Sequence, residues 1–326
     1  MSKPHILMAR AVFPEVIQKI SQVAHVQVNE DDAVWSQSEL IARLQGKQGV
    51  FTTGGDRIDE AVLKACPELR ICANMAVGYN NFDIAAMTAA GVVATNAPDV
   101  LTETTADLGF ALLMATARRI SESEHYLRAG QWTKWSFDMF AGSDIHGSTL
   151  GILGMGRIGQ AIARRGALGF GMQVIYHNRS RLSPELEQQC RARLVSKSEL
   201  LAQADHLILV LPYTRESHHA IGAAELSQMK PTATLVNIAR GGIVDDAALA
   251  QALKQRTIAA AGLDVFEEEP KVHPGLLEVP NVVLTPHIGS ASIPTRKAMA
   301  HLAADNLVAF FTGKPLLTAL NPDPRP

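Results

Sequence analysis

Three kinds of side chain in the second half of the chain follow directly on apolar runs. Arg240 follows residues 234–238, Glu267, Glu268 and Glu269 follow residues 262–265, and His287 follows residues 282–285. Alone, an arginine at a strand end is usually a surface charge, and a lone histidine is usually a satisfied structural group. These runs are rich in Val, Ile and Leu, as buried parallel strands are. Open α/β sheets gather their ligands in the crevice beyond the carboxyl ends of such strands. Arg, Glu and His converging there could reduce a ketone. Hydride addition builds negative charge on the carbonyl oxygen, and a protonated imidazole neutralises it by proton transfer. A carboxylate bonded to the imidazole fixes its orientation and favours its charged form. An arginine fork suits the carboxylate of a 2-oxo acid and polarises the neighbouring carbonyl.

A hydride needs a carrier, and residues 149–159 supply a place for one. The stretch reads as a short apolar strand, a turn with the spacing Gly154-x-Gly156-x-x-Gly159, and a helix start. In the dinucleotide fingerprint the first glycine makes the tight turn, the second lets a pyrophosphate approach the backbone, and the third lets the helix pack on its strand. The N–H groups at the helix start, at Arg157 and Ile158, and the helix dipole favour the phosphate charge. The spacing alone is weak evidence. A second strand-like run at residues 172–177 completes a βαβ unit and strengthens it.

The turn after that second strand bears on which dinucleotide binds. NAD-selective sites place a carboxylate about 20 residues beyond the fingerprint, on the ribose 2′-hydroxyl. Here the segment reads Asn178-Arg179-Ser180-Arg181, without Asp or Glu. A carboxylate would repel a 2′-phosphate, whereas guanidinium groups pair with one. The segment predicts NADP(H) in preference to NAD(H), with a solvated basic turn as the bland alternative.

The elements that must position these groups form an alternating pattern. In the first hundred residues, strands are expected around 6–8, 26–28, 49–53, 69–72 and 92–95. Helices are expected around 16–23, 38–44 (Ser38 a candidate N-cap) and 58–65. In the second half, strands are expected at 150–153, 174–177, 207–211, 234–238, 262–265 and 282–285. Strands alternating with helices imply parallel sheets covered on both faces. Residues 102–128 read as one long helix, residues 298–311 as another, and residues 321–326 as an extended or loose tail. The loop at 74–81, containing Val77 and Gly78, lies after a strand. A glycine beside a small residue there can present bare N–H groups to an anion, or be an ordinary loop glycine.

The chain has 326 residues, enough for two domains, with 47% hydrophobic and 19% charged residues. A net charge of −2 argues against nucleic acid and anionic membranes as partners. Cys66, Cys72 and Cys190 form no close metal-type cluster, so no metal site and a reduced cytoplasmic setting are expected. The opening ten residues hold too short an apolar run for a signal peptide, and no run is long enough to cross a bilayer.

The motifs at 153–159, 237–241, 262–270 and 286–290 resemble, in order and at family spacing, the D-2-hydroxyacid dehydrogenases. Segments 77–83, 104–107 and 130–132 are similar to those of the glyoxylate/hydroxypyruvate reductases, including bacterial 2-ketogluconate reductases. The resemblance implies two doubly wound α/β domains. One is a flavodoxin-like substrate domain of residues 1–99 and 291–326, the other a Rossmann cofactor domain of residues 100–290. It implies that Arg240 binds substrate carboxylate and carbonyl, that His287 is the acid/base and Glu269 its partner, and that the N–H groups of Val77 and Gly78 hold the substrate carboxylate. Asp264 would contact the nicotinamide end of the cofactor, and Thr105, Leu211, Pro212, Ile238 and Gly289 would line its site. Homodimers joined through the cofactor domain are implied too. Trp135 would then either reach the neighbouring subunit's site or pack within its own.

Two other readings share the fold. A dinucleotide-sensing corepressor is disfavoured by the absence of a long disordered tail and of the acidic residue expected for sensing NADH. A 3-phosphoglycerate dehydrogenase is disfavoured by the chain ending without a regulatory domain and by the basic turn.

Overall fold

The computed structural model describes residues 3–323. The chain divides into two compact units, with crossings between Leu101 and Thr102 and between Ala291 and Ser292. The first unit holds five short strands, β1 (His5–Met8), β2 (His25–Val28), β3 (Gly49–Thr52), β4 (Ile71–Asn74) and β5 (Val93–Thr95). All are parallel, in the order β2-β1-β3-β4-β5. This is the flavodoxin-like doubly wound order. β3, β4 and β5 are buried along their whole length, and β2, at the edge, alternates.

The helix Ile293–Phe311 belongs to this unit and packs on β3 and β4. At Gly49 a Cβ would stand 3.1 Å from the Phe311 ring, so glycine brings strand and helix close. The chain then runs back along β5. Asn321 accepts a hydrogen bond from Ala94 N–H (2.8 Å) and donates to the Val92 carbonyl (2.9 Å). Asn321, expected at the start of a loose tail, is therefore buried and bonded. Pro324–Pro326, the last three residues of that tail, lie outside the described residues.

The second unit holds β6 (Thr149–Leu153), β7 (Gln173–His177), β8 (Ala192–Leu194), β9 (His206–Leu209), β10 (Thr234–Asn237), β11 (Ala260–Leu263) and β12 (Val282–Leu284). These too are all parallel, in the order β12-β11-β10-β9-β6-β7-β8. The order reverses beside β6, and there a doubly wound sheet opens its ligand crevice. β8 has no counterpart in the sequence reading. Its three residues, Ala-Arg-Leu at the sheet edge, carry no apolar run.

The stretch read as one helix over 102–128 is two, Thr102–Ala117 and Ile120–Arg128. Between them Arg119 takes a left-handed φ of 54°. No glycine or proline marks the break. Its cause is tertiary: Ser143 N–H bonds the Ala117 carbonyl at 2.9 Å, and Gly142 passes so close that a Cβ would lie 2.1 Å from that oxygen. A crossing segment thus takes the carbonyl the helix would have used to continue. The second helix of the first unit also starts earlier than expected. Ser36, not Ser38, caps Gln37–Leu44, in a capping box with Glu39. Among the described residues no helix is long and apolar enough to cross a membrane.

Gly142→Ala should therefore lower stability by about 1–3 kcal/mol, the usual range for overpacking, read as an earlier midpoint in chemical denaturation.

Candidate functional site

In the second unit the loops after β6, β9, β10, β11 and β12 carry the expected groups. The turn after β6 is built as its glycines imply. Gly154 has φ 101°, and a Cβ there would meet Leu211 N and Val210 C at 2.7 Å. A Cβ on Gly159 would lie 2.4 Å from the Gly154 carbonyl oxygen. At Gly156 nothing lies within 4 Å of that position, so the backbone is open for a close ligand. The helix Arg157–Arg164 begins there with no side chain capping its first N–H groups. An open approach beside uncapped donors fits a dinucleotide pyrophosphate. The Gly154 contact also brings Leu211, and with it Pro212, beside the turn.

The turn after β7 is more differentiated than its sequence. Asn178 accepts a hydrogen bond from Met155 N–H through its Oδ1 at 2.7 Å, bracing the glycine turn. Arg181 is bidentate to Glu187, at 3.0 and 2.8 Å, and Glu187 also accepts from the Tyr176 hydroxyl at 2.7 Å. The Arg181 pairing, foremost, and the tyrosine bond hold the Glu187 carboxyl below its ordinary value. Arg179 and Ser180 are exposed, and Arg179 makes no hydrogen bond or ion pair among the described residues. Of the two arginines expected to serve a 2′-phosphate, Arg179 is thus the uncommitted one.

Glu269, after β11, meets His287, after β12. Glu269 Oε2 lies 2.7 Å from His287 Nδ1, and Glu269 Oε1 accepts from Phe266 N–H at 3.0 Å. Burial pushes the Glu269 carboxyl up. The His287 bond and charge, the Phe266 N–H and the Arg240 guanidinium outweigh it, so the group sits below the usual carboxylate value and is ionised at neutral pH. The pairing uses Nδ1 and leaves the other ring nitrogen of the exposed imidazole for a ligand. Arg240 is half-buried. Burial lowers its guanidinium from the ordinary value and the Glu269 charge opposes this, while an arginine remains protonated in proteins.

His287 has φ 53°, a left-handed conformation uncommon for residues other than glycine. What holds it is Asp264, only 1% exposed. Its carboxylate accepts from the Thr285 hydroxyl (2.7 Å), Ile288 N–H (2.8 Å) and Gly289 N–H (2.8 Å). Expected at the nicotinamide end, Asp264 is in the structure the fastening of the His287 loop. Thr105 packs against Gly289, within 3.4 Å of its Cβ position. The Ile238 side chain turns to the helix Thr102–Ala117, where a Cβ on Gly109 would meet it at 2.6 Å.

Gly241 escaped the sequence reading as a site residue. A Cβ on it would lie 1.6 Å from the Phe266 carbonyl oxygen. Only glycine lets the Arg240 loop press on the Glu269 loop. The fixed glycine after an arginine was visible in the sequence, but what it faces was not.

The first unit contributes an independent feature. Asn96 donates to the Val77 carbonyl at 2.8 Å, and the buried Asn74 donates to the Gly78 carbonyl at 3.1 Å. The N–H groups of Val77 and Gly78 donate to nothing among the described residues. Two carbonyls pinned by asparagines and two adjacent donors left open make an anion cradle.

Residues 110–289 match the family D-isomer specific 2-hydroxyacid dehydrogenase, NAD binding domain. The chain is 47% identical over 323 residues to a protein named glyoxylate reductase from Thermococcus onnurineus, covering 98% of this chain and 96% of that one. It is 45% identical to the glyoxylate reductase of Pyrococcus horikoshii, with the same coverage. Among solved structures it is similar to an NADPH-dependent glyoxylate/hydroxypyruvate reductase from Sinorhizobium meliloti in complex with NADP and malonate. That match has 36% identity and a TM-score of 0.85, and covers 99% of this chain and 98% of that one. A glyoxylate reductase from Paecilomyes thermophila matches with 33% identity and a TM-score of 0.88, over 98% and 99% of the two chains.

Gly241→Ala should separate the arginine and glutamate loops. Misplacing reacting groups by about 1 Å can cost on the order of a hundredfold in rate, so kcat/KM should fall steeply. Unchanged kcat/KM would show that the two loops need not touch.

Proposed function

This chain belongs to the D-isomer specific 2-hydroxyacid dehydrogenases and is an NAD(P)-dependent oxidoreductase, and from that premise we propose that it reduces glyoxylate and hydroxypyruvate, and by extension 2-ketogluconate, to D-2-hydroxy acids with NADPH as donor. The observation that carries the reading is the 2.7 Å pair between Glu269 and His287 beside Arg240.

Gly154, Gly156 and the start of the helix Arg157–Arg164 would hold the cofactor's phosphates, Asn178, Arg179 and Ser180 would serve its adenosine ribose, and Thr105, Leu211, Pro212, Ile238, Asp264 and Gly289 would line the rest of its site. When bound it supplies the hydride. The chain's own residues do the rest. Arg240 draws electron density toward the carbonyl oxygen of the 2-oxo acid. His287 delivers a proton to that oxygen, and Glu269 stabilises the imidazolium before transfer and orients the ring throughout. The open N–H pair at Val77 and Gly78 suits a carboxylate. The exposed Trp132, Trp135 and Phe137 supply apolar surface for a homodimer.

A panel of 2-oxo acids, followed by loss of NADPH absorbance, tests the activity. Failure with every substrate would overturn it. His287→Ala should lose roughly 10²–10⁴-fold in turnover, the usual contribution of a general acid, while keeping NADPH affinity. Glu269→Gln keeps the side chain's size but removes the carboxylate that holds His287 Nδ1. Its kcat should therefore fall with NADPH affinity kept, and an unchanged kcat would separate the two side chains functionally.

Cofactor choice gives a sharper test. A hydrogen bond to a charged group contributes about 1.5–3 kcal/mol. Arg179→Ala should thus weaken NADPH by roughly ten- to a hundredfold and barely change NADH. Arg181→Ala should do less, because Glu187 already holds that side chain. Asn178→Asp with Arg179→Ala should reverse the preference, since an aspartate keeps an acceptor for Met155 N–H and offers a second oxygen to the ribose diol. A wild-type enzyme that prefers NADH would sink this reading of the turn.

A further inference from the structure

A second group of ligating side chains lies on the same ends of β9, β10 and β11, outside the Arg240–Glu269–His287 set. The loop after β9 carries His218 and His219, whose rings stack with centroids 3.9 Å apart. His219 Nε2 stands 2.8 Å from Glu267 Oε1, in the loop after β11. His218, His219 and Glu267 each offer one ligand atom, all within 4.8 Å of one another. The glutamate lies 48 residues beyond His219, a separation that hides the group from a search for closely spaced ligands.

We propose that His218, His219 and Glu267 form a binding site for a divalent metal ion of the zinc class. Two imidazoles and one carboxylate are a donor set that suits Zn²⁺, with a fourth position open to water. Mg²⁺ and Ca²⁺ favour oxygen donors throughout. Zinc bonds of about 2.0–2.2 Å in a tetrahedral arrangement bring ligand atoms to roughly 3.3 Å from one another. Small side-chain rotations cover the difference, since His218 and Glu267 are exposed. The backbone beneath is already set. His219 has φ 49°, and its N–H donates to the Gly242 carbonyl at 2.7 Å. Glu267 N–H is held by Asp246 Oδ2 at 3.1 Å. Asp245 Oδ2 stands 3.9 Å from His219 Nδ1, the kind of outer carboxylate that orients a metal-bound imidazole. The Tyr213 hydroxyl stands 3.2 Å from His218 Nδ1. The ion would displace the proton that His219 and Glu267 share, with no redox change. It would also tie the loop after β9 to the loop that holds Glu269, two residues from Glu267.

The test uses the full chain without an affinity tag, stripped with a chelator and titrated with Zn²⁺ by calorimetry and by competition with a chromophoric chelator. One Zn²⁺ site is expected in the wild type. His218→Gln, His219→Asn and Glu267→Gln should each weaken it by roughly tenfold or more, as loss of groups at a metal site does. Asparagine is chosen at position 219 because it tolerates the left-handed backbone. Zn²⁺ should raise the thermal midpoint of the wild type and raise that of each of the three variants less. His25→Gln, at the other stacked histidine pair (His5 and His25, 5.0 Å), should bind as the wild type does. Equal Zn²⁺ affinity in the wild type and in all three ligand variants would overturn the proposal. So would loss of the site in His25→Gln, or equal competition by Mg²⁺.

Discussion

Asp264 carries a carboxylate to the end of β11, where solvent does not reach it. Burying such a group is costly unless its oxygens are hydrogen-bonded. The donors come from one short segment, Thr285, Ile288 and Gly289. Satisfying one buried charge thus obliges the chain after β12 to fold back across β11. His287 lies inside that fold, and its left-handed backbone is the conformation that lets the residues on either side reach the same carboxylate. The imidazole is then directed at Glu269 by the requirements of a different residue. Positioning the His287 backbone is here a by-product of hydrogen-bond satisfaction around Asp264.

The same economy of space governs the neighbouring loops. Gly241 permits the Arg240 loop to lie on the Phe266 carbonyl, and Gly154 permits the dinucleotide turn to lie on the chain at Leu211. Gly156 differs in having nothing opposite it. Two of these glycines make room for other parts of the protein, and the third faces open space. Within the fingerprint, Gly154 and Gly159 are packing constraints and Gly156 is not.

Much of this was legible in the sequence. Among the described residues, eleven of twelve strands overlap the expected apolar runs, because most strands of a covered parallel sheet are buried, and burial leaves a compositional trace. β8 left none, being short and at the edge. The residues of the site were legible by type and by their place after strands. Their pairings were less so. Nothing in Asn178-Arg179-Ser180-Arg181 distinguishes its two arginines, because what separates them is Glu187 on the next helix and Tyr176 on the strand before. The break at Arg119 was illegible for a similar reason. Residues 117–120 favour a helix locally, and a segment more than twenty residues further on ends it.

The first unit is completed by residues that lie beyond the whole of the second. During synthesis the five strands of the first sheet leave the ribosome early. The helix that covers β3 and β4, and the asparagine that bonds the backbone at β5, follow only after the second unit. Domains generally fold as units as the chain emerges. The second unit, contiguous from Thr102 to Ala291, has all of its elements available first. The amino-terminal sheet gains its cover over β3 and β4 only after the whole of the second unit has left the ribosome. Completion of the first unit is thus coupled to synthesis of the second, although the two share no sheet.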